Sequence, residues 1–322
     1  MSSKLCLDNN DVFQIFSELA PVAKKKRSFF HVVNPLTPKS TSDLSYAQPV
    51  TLRSMQQSAS FAQIADNNID VIQLAAAFAE DIASIPDSFV TLPYLDRDVT
   101  DLSDFDLPRP LPILWDILER TAEYIKSAET PGSNYIIYTN IDIGTMPQFY
   151  MLVDKIAESG IDAFCINRRT VSNQLRDLDS IPLLSSDYGE KHPGFDCIVF
   201  DARLFDEFCP FQTCLGAIHV MRPLLINLMA LAEKFHIFTE LHATYHIGND
   251  AVWCDSRFHD YEKYNMKSVI EVFDHAMKSS RGKEKLLEYS KEIDWIWLRK
   301  KLGQPDYRAL SRIKKIFNIK NN

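Results

Sequence analysis

The sequence is poor in glycine and lacks the signals that direct a chain to a membrane. Only nine of its 322 residues are glycine, and no stretch is apolar for long enough to cross a bilayer. The first twenty residues lack the continuous apolar core of a signal peptide. We therefore expect a cytoplasmic protein without a transmembrane segment.

The sequence also lacks a regular cysteine pattern and an excess of positive charge. The six cysteines form no CxxC motif and no regular framework, which favours reduced thiols over disulfides. The net charge is -8, and no basic stripe runs through the middle of the chain, so nucleic acid is not an expected partner. Apolar and charged fractions of 46% and 24% are those of an ordinary globular protein.

Strand-like and helix-like segments alternate from about residue 28 to residue 250. Apolar runs predict strands at 29–33, 69–74, 89–92, 135–138, 163–166, 197–200 and 241–247. Helical spacing predicts helices at 10–20, 51–63, 111–127, 147–159 and 213–235. This alternation predicts an α/β fold with a mostly parallel, Rossmann-like sheet covered by helices.

The pattern changes near residue 255. From about Tyr261 onward it is helical and charged, which divides the chain into an α/β domain (1–255) and a C-terminal helical region (256–322) packed on it. Trp295 and Trp297 lie there among lysines and arginines. Peripheral contact with an anionic membrane is one interpretation, but we favour packing of the two tryptophans against the sheet domain.

Polar residues directly follow the most apolar predicted strand, 135–138. In an open α/β sheet, ligands bind at the carboxyl ends of the strands. Asn140 and Asp142 are separated by one residue and so project to the same side of an extended backbone. Their oxygen atoms can hold Mg²⁺ or Mn²⁺, although an Asx turn is the alternative.

A second polar segment, from His242 to Asp250, lies near the last predicted strand, with Trp253 close behind. The His-x-x-x-His spacing occurs in zinc sites, but this segment is strand-like and no glutamate adjoins His242. We therefore do not expect a metalloprotease. His246 is a candidate cation ligand, with a core histidine bonded to backbone as the alternative.

Together, these two segments resemble motifs of the GT-A glycosyltransferases. Asn140-Ile141-Asp142 resembles their DxD motif, and His246-Ile247-Gly248 with Trp253 resembles a late His-x-Gly segment of some of these families. The resemblance covers residues 28–255 in architecture and only these segments in motif. It implies a GT-A type fold, a nucleotide-sugar donor, and Mn²⁺ or Mg²⁺ held by Asn140, Asp142 and His246. Asparagine at the first motif position weakens the expected metal affinity.

Further residues are expected on the donor side of such a site. Arg168 and Arg169 follow the predicted strand 163–166, and guanidinium groups are well shaped to pair with a diphosphate. A solvated loop is the alternative for both. Asn34 ends the first predicted strand of the sheet, where GT-A enzymes receive the nucleotide base.

The segment from His192 to Asp196 is expected to serve the acceptor. Asp196 or His192 can act as a base towards an acceptor hydroxyl, and Gly194 permits close approach of the backbone to a ligand. The alternative is a tight turn in which Asp196 only bonds backbone amides.

Three functions are compatible with these residues. We favour a glycosyltransferase that moves a sugar from a nucleotide-sugar to an unknown hydroxyl-bearing acceptor. A sugar-phosphate nucleotidyltransferase is less favoured, because the segment 34–43 after the first strand of the sheet contains no glycine. A non-catalytic α/β scaffold that has lost transferase chemistry is the third, and Asn140 is compatible with it.

Overall fold

The structure, a computed structural model, describes residues 4–19, 25–40, 42–174, 176–248, 255–293 and 295. Strands and helices alternate along this part of the chain. The strands are β1 (Cys6–Leu7), β2 (Arg27–Val33), β3 (Ile69–Ala75), β4 (Val90–Thr91), β5 (Ser133–Thr139), β6 (Ile143–Thr145), β7 (Ala163–Ile166), β8 (Arg169–Val171), β9 (Glu190–Lys191), β10 (Cys197–Asp201), β11 (Phe235–Phe238) and β12 (Thr244–Ile247). The α-helices are α1 (Asn9–Ser17), α2 (Leu44–Ala65), α3 (Leu114–Ala128), α4 (Phe149–Glu158), α5 (Ile181–Ser186), α6 (Arg222–Leu231), α7 (His259–Ala276) and α8 (Ser280–Tyr289).

Eight strands form a central sheet in the order β1-β11-β7-β10-β5-β2-β3-β4. Its neighbouring strands are parallel, except that β10 runs antiparallel to both β5 and β7. The other four strands form a small second sheet in the order β6-β12-β8-β9. This arrangement confirms the predicted α/β fold, with a mostly parallel sheet covered by helices.

The central strands are buried on both faces, which explains why they read as continuous apolar runs. All seven residues of β2 and all five of β10 are buried. Alternate residues enter opposite cores. Phe30 packs in a cluster that includes residues of α3, α6, α7 and α8, whereas Phe29 packs with residues of α1, α2 and α4. The sheet is therefore the middle layer of three.

The start of α2 differs from the prediction. The sequence pattern predicted a helix over 51–63, but the helix begins at Leu44, with Asp43 in the cap position. Thr51 is buried inside the helix. Tertiary packing of α2 offsets the loss of one backbone hydrogen bond at Pro49, which has no N–H to donate.

The prediction of a long helix over 213–235 is also wrong. Only Arg222–Leu231 is helical, and the apolar run that follows forms β11. The loop that precedes α6 is bonded to the side chain of Asn265 instead of forming helix. Asn265 accepts from the Cys214 backbone N–H and donates to the carbonyls of Cys214 and Ile218. Left-handed backbone at Gly216 (φ 67°) and His219 (φ 74°) also interrupts the helical pattern.

The C-terminal helices pack on the α/β layers. Leu286, Tyr289 and Trp295 are buried in the same apolar cluster as residues of the central sheet, which confirms the expected packing of Trp295. Trp297 lies outside the described residues, and the boundary at residue 255 stays a prediction. None of the helices that the structure describes has the length and apolarity needed to cross a membrane.

Candidate functional site

Several predicted site residues meet at one edge of the central sheet. Asn140 follows β5 and Arg168 follows β7, so both lie where parallel strands end. Asp196 precedes β10, but β10 is antiparallel, and Cys197 is therefore paired with Thr139 on one side and Ile166 on the other. The antiparallel strand thus brings Asp196 to the edge at which Asn140 and Arg168 lie.

Asp142 and His246 form a pair across the second sheet. Asp142 directly precedes β6, and His246 lies on β12 opposite Ile143 of β6. The Asp142 Oδ2 and His246 Nε2 atoms are 3.3 Å apart. The other ring nitrogen, Nδ1, is 2.8 Å from the Gly248 carbonyl oxygen. We expected His246 on the parallel sheet, but the second sheet positions it instead.

The contact between Asp142 and His246 shifts the pKa values of both side chains. Burial alone raises the pKa of Asp142, but the hydrogen bond and charge of His246, together with the charge of Arg168, hold it below its ordinary value. Burial alone lowers the pKa of His246, but Asp142 outweighs burial and raises it above the ordinary imidazole value. The pair therefore favours a carboxylate beside an imidazolium.

A second pair, Arg168 and Asp196, lies beside the first. Arg168 Nη1 is 3.3 Å from Asp196 Oδ2, and Arg168 Nη2 is 3.5 Å from His192 Nε2. Burial and the negative charge of Asp142 raise the pKa of Asp196 despite the nearby Arg168. Burial, with the positive charges of Arg168 and His246, lowers the pKa of His192 to about 4. His192 is therefore neutral at pH 7. The Asp196 carboxyl is a stronger base than an ordinary aspartate.

The side chain of Asn140 lies between two residues of this site. Its Nδ2 is 3.5 Å from Asp196 Oδ1, and its Oδ1 accepts a hydrogen bond of 3.3 Å from the Tyr138 hydroxyl. Burial and the charges of Asp142 and Asp196 raise the pKa of Tyr138, so its hydroxyl keeps its proton.

Close packing within the 192–196 loop leaves no room for a side chain at Gly194. A Cβ at this position would lie 2.5 Å from Asp196 Oδ2 and 2.6 Å from His192 Nδ1. The Gly194 backbone N–H also donates to His192 Nδ1 at 2.9 Å. The close approach that glycine permits here is to the two candidate bases of the same loop.

Several buried polar atoms at this edge have no hydrogen-bond partner among the described residues. They are Asp142 Oδ1, Asn167 Oδ1, Arg168 Nε and Asp196 Oδ2. Because buried polar atoms are nearly always bonded, these atoms are expected to bond to water, an ion or a ligand. Asn167 was not among the predicted site residues, although it also directly follows β7.

A divalent cation fits this donor set in part. Asp142 offers a carboxylate oxygen without a partner, and His246 offers an imidazole nitrogen beside it. Within the described ranges, no three His, Cys, Asp or Glu side chains cluster closely enough to hold a metal ion. A cation here would therefore take further ligands from a bound phosphate or from water.

Two predicted donor-side residues are engaged elsewhere. Arg169 lies on β8, where its guanidinium donates to the carbonyls of Tyr188 and Gly189 at 2.8 Å each and lies 4.1 Å from the Tyr188 ring centroid. Asn34 follows β2, and its Nδ2 donates to the Ala76 carbonyl at 2.6 Å, which joins the ends of β2 and β3. Ligand contacts by either residue stay predictions.

His242, the other histidine of the predicted polar segment, contacts the protein backbone. His242 Nε2 is 3.0 Å from the Asp187 carbonyl oxygen, so His242 and His246 do not act together as a zinc pair. The segment 249–254, which contains Trp253, lies outside the described residues.

Comparison with known proteins finds likeness in fold only. No family model and no curated protein matches the sequence. S. aureus TarS (residues 1–349, in complex with UDP-GlcNAc) is 12% identical with a TM-score of 0.44, over 82% of this chain and 73% of that one. A protein described as a nucleotide-diphospho-sugar transferase from Desulfovibrio desulfuricans is 12% identical with a TM-score of 0.32, over 79% and 98%. A 4-diphosphocytidyl-2C-methyl-D-erythritol synthase from Anaerococcus prevotii is 12% identical with a TM-score of 0.32, over 76% and 96%.

Proposed function

We propose that this chain is a glycosyltransferase that moves a sugar from a nucleoside-diphosphate donor to a hydroxyl-bearing acceptor. One observation carries the proposal. The pairs Asp142–His246 and Asp196–Arg168 meet at the ligand-binding edge of an α/β sheet, and Asp142 Oδ1 has no hydrogen-bond partner among the described residues. Two carboxylates with pKa values shifted in opposite directions suit two different chemical roles.

Asp142 and His246 would form the donor side of the site. They would hold Mn²⁺ or Mg²⁺, which acts as a Lewis acid and stabilises negative charge on the departing diphosphate. Arg168 lies beside them with its Nε free of a hydrogen bond among the described residues, so it can donate to a phosphate oxygen. In this proposal Asp142 stays ionised, as its lowered pKa requires.

Asp196 would form the acceptor side as the general base. The acceptor hydroxyl gives its proton to the Asp196 carboxylate while its oxygen forms a bond to the anomeric carbon. The bond from that carbon to the diphosphate oxygen breaks, and the electron pair stays on the diphosphate. A raised pKa suits a carboxylate to this task, and the displacement inverts the anomeric configuration. His192 is the second candidate base.

A ligand screen tests the proposal without knowledge of the acceptor. The protein is melted with nucleotides and nucleotide-sugars, each with and without Mn²⁺, because a ligand that binds only the native state raises the melting temperature. We expect one nucleotide class to stabilise the wild type more strongly with Mn²⁺. Asp142→Asn should lose that extra stabilisation, whereas Asp87→Asn, at an exposed aspartate that is not one of the proposed site residues, should keep it.

Release of the nucleoside diphosphate from the identified nucleotide-sugar, with water as acceptor, then tests the chemistry. Asp142→Asn should lower this rate by about a hundredfold or more, as loss of a preorganised charge contact does. A wild type that binds no nucleotide would support the non-catalytic scaffold. A wild type that instead joins a nucleoside triphosphate to a sugar phosphate and releases pyrophosphate would support a nucleotidyltransferase.

A further inference from the structure

We propose that Asn140 is a positioning residue for Asp196 and not a ligand of the cation. The inference rests on the proposed function only in the role of Asp196 as base. It concerns the position at which this chain departs from the acidic motif that it resembles, with an amide where a carboxylate is usual.

The orientation of the Asn140 amide follows from its neighbours. The Tyr138 hydroxyl donates to Asn140 Oδ1 at 3.3 Å. On the other side of the amide, the Asp196 carboxylate can accept a hydrogen bond but cannot donate one. The amide oxygen therefore faces Tyr138, and the NH₂ group faces Asp196 Oδ1 at 3.5 Å. Both ends of the Asn140 amide are directed at protein groups.

Asp142 shows the opposite arrangement. Its Oδ2 faces His246 at 3.3 Å, while its Oδ1 has no hydrogen-bond partner among the described residues. A buried carboxylate oxygen in that state is available to an incoming cation. Of the two polar residues of the motif, only Asp142 presents an oxygen that accepts no hydrogen bond from the part of the chain that the structure describes.

Asp196 is held from two directions. Arg168 Nη1 approaches Oδ2 at 3.3 Å, and Asn140 Nδ2 approaches Oδ1 at 3.5 Å. A carboxylate at position 140 would place a like charge against Oδ1 in this partly buried site, where repulsion is stronger than in water. An amide donates to Asp196 without adding charge, so asparagine at position 140 is matched to a base at position 196.

A thermodynamic cycle on metal-free protein tests this pairing. The unfolding equilibrium is measured by urea titration for the wild type, Asn140→Asp, Asp196→Asn and the double variant. Asn140→Asp should raise the unfolding equilibrium constant about tenfold more in the wild-type background than in the Asp196→Asn background, where the pair is exchanged and again has one amide and one carboxylate. Asn134→Asp, a matched change on β5 away from this edge, should have the same effect in both backgrounds.

Metal binding and turnover supply independent readouts. Calorimetric titration with Mn²⁺ should give Asn140→Asp a dissociation constant within about threefold of the wild type, because position 140 is not a ligand. In donor hydrolysis, Asn140→Ala should lower kcat about tenfold with little change in KM, and should add little to the loss in the Asp196→Asn background.

Two results would overturn the inference. One is an Asn140→Asp variant that binds Mn²⁺ at least tenfold more tightly than the wild type, which would assign position 140 to the cation. The other is a cycle in which Asn140→Asp and Asp196→Asn act additively, as the Asn134→Asp control does. Because the cycle uses neither donor nor metal, it decides the role of Asn140 even if the wild type turns over no nucleotide-sugar, a failure that would concern the proposed function alone.

Discussion

The Asp142 carboxylate lies 3.3 Å from His246 Nε2 because β6 and β12 are paired with Ile143 opposite His246. A two-stranded contact in the small sheet thus joins segments that are far apart in the sequence. The short distance makes the charge of each residue dependent on the other.

From the pKa shifts of Asp142 and His246 we predict how the stability of the metal-free protein varies with pH. The lowered pKa of Asp142 contributes stability above its ordinary value of about 3.9, and this is lost as pH falls through the lowered value. The raised pKa of His246 contributes stability that is complete below about pH 6.5 and is lost as pH rises through the raised value. The pair therefore stabilises the fold most between about pH 4 and pH 6.5.

Urea unfolding from pH 4 to pH 9 measures this effect. The difference in unfolding free energy between the wild type and His246→Gln should be largest in that window and should shrink above it. In an Asp142→Asn background, His246→Gln should show no such maximum. A difference that is constant across the whole range would mean that the two residues do not interact in solution.

A substitution at Gly194 tests the geometry of the proposed base, Asp196. Alanine there would bring a Cβ to 2.5 Å from Asp196 Oδ2 and 2.6 Å from His192 Nδ1, so the loop must shift. We expect Gly194→Ala to lower turnover by about a hundredfold, as a displacement of about 1 Å does in a catalytic group, with donor affinity unchanged. In the Asp196→Asn background the same change should add little. A full additional loss there would indicate that Gly194 contacts the ligand directly.

The C-terminal helices should contribute to the stability of the whole fold. Leu286 of α8 is fully buried in the cluster that also contains central-sheet residues. Leu286→Ala should lower the free energy of unfolding by about 2 to 5 kcal/mol, the usual effect of a cavity at a packed leucine. Leu107→Ala, at a leucine that is 46% exposed, should have a much smaller effect. Equal losses would show that α8 does not share the core in solution.

Buried strands were predictable from the sequence because they are apolar on both faces. The ranges 163–166 and 197–200 were predicted to within one residue of β7 and β10. Their direction was not predictable, since a fully apolar run carries no mark of parallel or antiparallel pairing. The direction of β10 is what brings Asp196 into the site from a position ahead of a strand.

The geometry of the candidate site was predictable where it depends on strand ends and not where it depends on the second sheet. Asn140, Asp142 and Arg168 were candidates because each follows an apolar run, and the structure brings them to one edge of the sheet. The short strands β6, β8 and β9 have two or three residues each, too few for a periodic signal, so the contact between Asp142 and His246 could not be derived from them. The bonds of Arg169 to the 188–189 carbonyls were hidden for the same reason.

The most direct test of the account separates its donor side from its acceptor side. Calorimetric titration measures the affinity of Asp196→Asn and His246→Ala for the nucleotide-sugar that stabilises the wild type, with Mn²⁺ present, and donor hydrolysis is measured beside it. We predict that Asp196→Asn binds the donor within about threefold of the wild type while turnover falls by two to four orders of magnitude, roughly the loss expected for a general base. His246→Ala should bind the donor more weakly, with partial rescue by excess Mn²⁺. An Asp196→Asn variant that loses the donor, together with a His246→Ala variant that keeps it, would contradict the account.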